Sequence, residues 1–88
     1  MHDTVQVHHI LVVAAQVLYA ADQGERAAQV LAFVLTQPAS HETRLRAQGL
    51  LARVVADQRA GALAAARAWA GGRDRARVAE LAQEWLAS

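Results

Sequence analysis

The chain contains no cysteine and no lysine, and it has one proline and five glycines among its 88 residues. Without cysteine it can form no disulfide and no thiolate zinc site, and it has no thiolate nucleophile for catalysis. This composition fits a cytoplasmic protein. The scarcity of proline and glycine also removes the residues that interrupt helices most strongly.

The charge balance disfavours nucleic acid as a partner. All nine basic residues are arginine, and eight acidic residues reduce the formal net charge to +1. Nucleic-acid binding requires a concentrated basic face with a clear excess over acids. Abundant arginine and alanine together are also what codon bias in a GC-rich bacterial genome produces.

Alanine supplies most of the apolar content, which reaches 55% when all hydrophobic residues are counted. Alanine loses the least free energy on entering a helix and contributes little to a sheet. The composition therefore predicts an all-α fold. A chain of this length forms at most one small domain, so we assign residues 1–88 to a single domain.

The most apolar stretch covers residues 5–21 and includes the uninterrupted run 10–15. A membrane-spanning helix needs about 20 apolar residues, whereas this stretch carries His8, His9 and Gln16 and lacks a basic flank. A helical projection places His9 and Gln16 on a polar stripe and His8 on the apolar arc. We expect a buried helix of a soluble protein, although so short a chain should not bury a helix on every side.

Hydrophobic periodicity predicts five helices, arranged as two hairpins and a capping helix. The first hairpin covers 4–37, the second 40–70 and the capping helix 74–87. Gly24 is predicted to end the first helix, because glycine readily adopts the left-handed conformation found there. Ser40 and Asp74 are predicted N-caps of the third and fifth helices.

Small and large residues recur in the first two helices at the spacing of a known repeat. The positions are Leu11, Ala15 and Leu18 in the first helix, Ala27, Leu31 and Val34 in the second, and then Pro38. This spacing resembles the tetratricopeptide-type repeat, with aliphatic residues where that motif has its typical tryptophan and tyrosine. Residues 24–88 also resemble the C-terminal end of bacterial STAND-type signal-transduction ATPases and transcriptional regulators, in the run GERAAQVLAFVLTQPASHETRLRAQGLLARV and the ending AELAQEWLAS.

The resemblance implies a short right-handed superhelical stack of hairpins that receives an inducer or mediates self-association. The nucleotide-binding and DNA-reading domains of such regulators would lie upstream, so no catalytic motif carries over to this chain. A phosphate-binding loop of the G-x-x-x-x-G-K type is absent from the sequence. We therefore expect a non-catalytic interaction or self-association module without a cofactor.

The first helix is expected to present the cut edge of such a stack. Its predicted interaction surface comprises Ile10, Leu11, Val12, Leu18 and Tyr19. In a longer protein upstream repeats would cover this edge, and in the isolated chain a second copy would cover it around a two-fold axis. A homodimer is therefore expected.

The titratable residues predict neither a metal site nor an enzyme. His8 and His9 point about 100° apart on a helix and cannot readily bind one metal ion together. Only a back-folded N-terminus would bring together His2, Asp3 and His9. Glu80 and Glu84 share a helical face, but no base or nucleophile lies near them in sequence.

The densest basic cluster surrounds the Gly71-Gly72 turn and comprises Arg67, Arg73, Arg75 and Arg77. One interpretation is a solvated turn that Asp74 and Glu80 partly neutralise. The alternative is a small regulatory nucleic-acid-binding domain, in which Arg73, Arg75 and Arg77 are the candidate anion contacts, because arginine suits phosphate geometry.

Overall fold

The computed structural model describes residues 4–58 and 60–87, with side chains over 8–58 and 60–87. Within these residues the fold is all-α, as predicted, and contains no strand. The helices are α1 Thr4–Ala20, α2 Gly24–Leu35, α3 His41–Ala56, α4 Ala62–Ala70 and α5 Arg75–Ala87. The hypothetical grouping of His2 and Asp3 with His9 lies outside the described residues.

Two predicted N-caps are confirmed. The Ser40 hydroxyl oxygen accepts a hydrogen bond from the backbone N–H of Thr43 at 3.2 Å, at the start of α3. At the start of α5, the Asp74 carboxylate accepts one from the backbone N–H of Arg77, also at 3.2 Å. Each cap satisfies an amide that has no partner within its helix.

The predicted terminator of α1 is wrong. The Gln23 N–H donates to the carbonyl of Leu18 at 2.8 Å, and the Asp22 N–H donates to the carbonyl of Tyr19 at 3.1 Å. These two bonds form a Schellman motif, whose left-handed position is held by Asp22 with φ of 66°. Gly24 is instead the buried first residue of α2.

The central helix of the fold is α2, which packs against α1, α3 and α4. Its side chains are buried on nearly every side, contrary to the expectation for so short a chain. The buried residues of α2 are Gly24, Ala27, Ala28, Val30, Leu31, Ala32, Phe33 and Val34. Phe33 is the largest fully buried side chain of the described core.

The predicted second hairpin, 40–70, is not observed as a packed pair. Helices α3 and α4 both pack on α2 rather than mainly on each other. The face that α4 buries consists of Ala66 and Ala70, whose small side chains permit close approach to α2. This arrangement leaves a groove between α3 and α4.

Helix α5 packs back on α1 instead of continuing away from it as in an open stack. Val78 and Ala82 are its buried residues. The half-buried rings of Trp69 and Trp85 meet with centroids 5.9 Å apart and an interplanar angle of 43°. These two rings connect α4 with α5.

Candidate interaction surfaces

The exposed face of α1 carries three aliphatic side chains in a row. Ile10 is 56% exposed, Val13 43% and Val17 50%. Their spacing of three and then four residues places them on one side of the helix, as in the contact line of a coiled coil. We call Ile10, Val13 and Val17 the α1 stripe.

The α1 stripe only partly coincides with the predicted interaction surface. Ile10 is exposed as predicted, but Leu11, Val12 and Leu18 are 1%, 3% and 1% exposed and belong to the core. Helices α2, α3 and α5 all pack on α1 and cover those sides. The assignment of these three residues to an accessible surface is therefore wrong.

Tyr19, the fifth residue of the predicted surface, is half-buried against the core. Its hydroxyl donates a hydrogen bond to the Asp57 carboxylate. This bond, together with desolvation, raises the pKa of Tyr19. The side chain thus links the end of α1 to the end of α3.

The helix that carries the α1 stripe is itself uncharged. Residues 4–21 contain no aspartate, glutamate, lysine or arginine. The exposed neighbours His9 and Gln16 are the polar stripe that the sequence predicted, and Val13 lies between them. Helix α1 therefore presents no formal charge to an approaching partner.

His8 lies on the opposite side of α1 and is fully buried. Neither ring nitrogen has a hydrogen-bond partner among the described residues. Burial lowers the pKa of His8 below its ordinary value, and the nearby positive charge of Arg75 lowers it further. The imidazole is therefore held neutral at neutral pH.

The arginines near the Gly71-Gly72 turn make separate local contacts. The Arg73 guanidinium lies 4.2 Å from the centroid of the Trp69 ring, and its Nε donates to the Trp69 carbonyl at 2.7 Å. Arg75 lies near enough to His8 to influence its pKa. The predicted anion contact is thus divided between separate local interactions.

The third arginine of that predicted contact, Arg77, is shared by two carboxylates. It lies 3.6 Å from Glu80 and 3.8 Å from Glu84, all three side chains being largely solvent-exposed. These carboxylates offset the positive charge of Arg77, which weakens its electrostatic attraction for a phosphate group. Glu80 and Glu84 therefore act as local counterions in this geometry.

A second surface feature, not predicted from the sequence, is the groove between α3 and α4. Its volume is about 310 Å³, and its lining residues are Leu35, Gln48, Leu51, Ala52, Val55, Leu63 and Arg67. It continues into a cavity of about 410 Å³ that adds Ala32, Thr36 and Arg44. We call these ten residues the α3–α4 groove. Arg67, assigned from the sequence to the cluster at the turn, lines this groove instead.

No group of three or more histidine, aspartate or glutamate side chains within 8–58 and 60–87 is arranged to hold a metal ion. Among the described helices, none is both long and apolar enough to cross a membrane. Comparisons with known protein families, with curated proteins and with solved structures find no match for this chain.

Proposed function

We propose that this chain is a non-catalytic protein–protein interaction module that self-associates through the α1 stripe. The observation that carries the proposal is the row of exposed Ile10, Val13 and Val17 on a helix without formal charge. In a two-fold dimer the same surface meets itself, so a charge close to the axis would face its own copy. An uncharged stripe avoids this repulsion, which favours a second copy as the occupant.

The expected affinity is modest. Covering the exposed halves of three aliphatic side chains on each of two copies contributes about 1 kcal/mol per side chain, or roughly 6 kcal/mol before costs. The loss of translational and rotational freedom on association offsets a large part of this contribution. Self-association of the isolated chain is therefore weak and depends strongly on concentration.

The resemblance of residues 24–88 to the C-terminal end of STAND-type regulators suggests the setting for this surface. We place the module in a bacterial signal-transduction regulator, where an adjoining helical repeat would cover the α1 stripe. The proposal for self-association does not depend on that setting, since it rests on the exposed residues alone.

Sedimentation equilibrium tests self-association, with Val13→Glu as the disrupting variant. The average mass of the wild-type chain should rise with concentration, whereas Val13→Glu should stay monomeric because two buried carboxylates would face each other across the axis. Leu45→Glu is the matched control, since Leu45 is 53% exposed but lies on α3. It should associate like the wild type.

A wild-type chain that remains monomeric at millimolar concentration refutes the proposal. Equal loss of association in Val13→Glu and Leu45→Glu would refute the assignment to the α1 stripe. Unchanged helicity in circular dichroism establishes that both variants are folded.

A further inference from the structure

The α3–α4 groove is an open slot beside the central helix. Leu35 of α2 and Leu51 of α3 contribute to both of its parts. Val55 and Leu63 extend this apolar surface along α3 and α4. Volumes of about 310 and 410 Å³ are at the lower end of the usual range for binding sites, enough for a few apolar side chains.

The charges of the groove have one sign. Its lining contains Arg44 and Arg67 but no aspartate or glutamate. Arg44 is held in place by backbone oxygens, since it donates to the carbonyl of Gln37 at 3.1 Å and to that of Leu35 at 3.4 Å. No carboxylate of the described residues forms an ion pair with either arginine.

We propose that the α3–α4 groove binds an amphipathic helix of a partner protein whose apolar face is flanked by acidic residues. Apolar side chains spaced three and four residues apart on such a helix cover Leu35 and Leu63, which are both partly buried. Aspartate or glutamate on its flank pairs with Arg44 and Arg67, where an arginine–carboxylate hydrogen bond is stronger than a neutral one.

This chain's own helices fit the groove less well, which favours a different protein over a second copy. Helix α1 offers an apolar stripe but no acid. On α5 the carboxylates of Glu80 and Glu84 already lie against Arg77. The groove and the α1 stripe are separate surfaces, so the two proposals stand or fall independently.

Two synthetic peptides serve as probes of the partner chemistry. Both are helical and carry leucine on one face, and they differ only in having glutamate or lysine along the flank. Fluorescence anisotropy with labelled peptide measures affinity for the whole chain, and amide chemical shifts locate the site. The glutamate peptide should bind more tightly than the lysine peptide, with shifts concentrated at the residues of the α3–α4 groove.

Charge reversal at Arg67 provides the decisive variant. Arg67→Glu should weaken the glutamate peptide about tenfold or more, equivalent to about 1.4 kcal/mol, and should strengthen binding of the lysine peptide. Arg53→Glu is the matched control, because Arg53 is an exposed arginine of α3 outside the groove. It makes the same change in net charge and should leave both affinities nearly unchanged.

Several results would overturn the inference. They are equal binding of the two peptides, no binding of either, an equal effect of Arg53→Glu and Arg67→Glu, or shifts that map to Ile10, Val13 and Val17. Shifts at the groove that appear with protein concentration alone would identify a second copy as its occupant and would also contradict the proposal. Sedimentation of Arg67→Glu should match that of the wild type, which separates this test from the test of self-association.

Discussion

Replacing His8 should stabilise the protein and reduce its sensitivity to acid. A neutral imidazole has one donor and one acceptor nitrogen, and in the folded protein neither has a partner among the described residues. A buried polar group without a hydrogen bond costs about 1–3 kcal/mol. His8→Leu removes this cost and places an apolar side chain at a fully buried position. We therefore expect its free energy of unfolding to increase by about 1–3 kcal/mol.

The effect of pH follows from the lowered pKa of His8. Histidine in the unfolded chain takes up a proton as pH falls through about 6.5, while folded His8 resists protonation until lower pH. Below about pH 6.5 the unfolded state therefore binds more protons than the folded state, so the free energy of unfolding decreases as the pH is lowered. This decrease ends below the pKa of His8 in the folded protein. The resulting loss of unfolding free energy between about pH 7.5 and pH 5 is at most about 2 kcal/mol. His8→Leu should lack it.

Urea denaturation followed by circular dichroism at a series of pH values measures both effects. His41→Gln is the control for the loss of one histidine, because His41 is exposed at the start of α3. It should leave both the stability at neutral pH and the acid dependence close to those of the wild type. The reasoning is refuted if His8→Leu destabilises the protein at neutral pH or shows the same loss of stability towards pH 5 as the wild type.

Two further substitutions test the packing and the helix end. Phe33→Ala should lower the free energy of unfolding by about 3–5 kcal/mol, because Phe33 is fully buried in α2. This is a large part of the roughly 5–15 kcal/mol typical of a folded domain. The control Leu45→Ala changes an exposed site and should alter thermal stability little. Asp22→Gly should raise the free energy of unfolding by up to about 1 kcal/mol, because glycine adopts the left-handed conformation of this position without steric strain. Asp57→Gly should lower the free energy of unfolding, because Asp57 has φ of −92° and accepts the Tyr19 hydrogen bond. Urea denaturation at neutral pH distinguishes these outcomes, and a loss of stability in Asp22→Gly would contradict the role given to Asp22.

Local features of the fold were accessible from the sequence. The side chains of Ser40 and Asp74 each accept a hydrogen bond from an amide three residues further along the chain. Because the contact is local, the sequence is enough to predict both N-caps. The end of α1 was mispredicted because glycine is the strongest signal for a left-handed residue, and the nearby Gly24 outweighed Asp22. An error of this kind shifts the predicted end of a helix by one or two residues and leaves the helix itself correctly predicted.

The arrangement of the helices was less accessible, because periodicity identifies an apolar face without identifying the element that covers it. Helix α1 contains the longest apolar run of the chain, whereas α2 occupies the centre. The same ambiguity placed Leu11 and Val12 on a surface that α2, α3 and α5 cover. The sides taken by His8 and His9 were predictable, because they depend only on position within one helix, and the structure buries His8 and exposes His9.

The central position of α2 also has a consequence for how the chain folds. Its contacts with α1 and α3 join segments that are adjacent in sequence, so they form at a small cost in loop closure. The contact of α5 with α1 joins distant parts of the chain, and we expect it to form after the central helices are in place. We therefore expect amide protons of α2 to exchange with solvent last and those of α5 to exchange earlier, through a local opening that leaves α1–α4 folded.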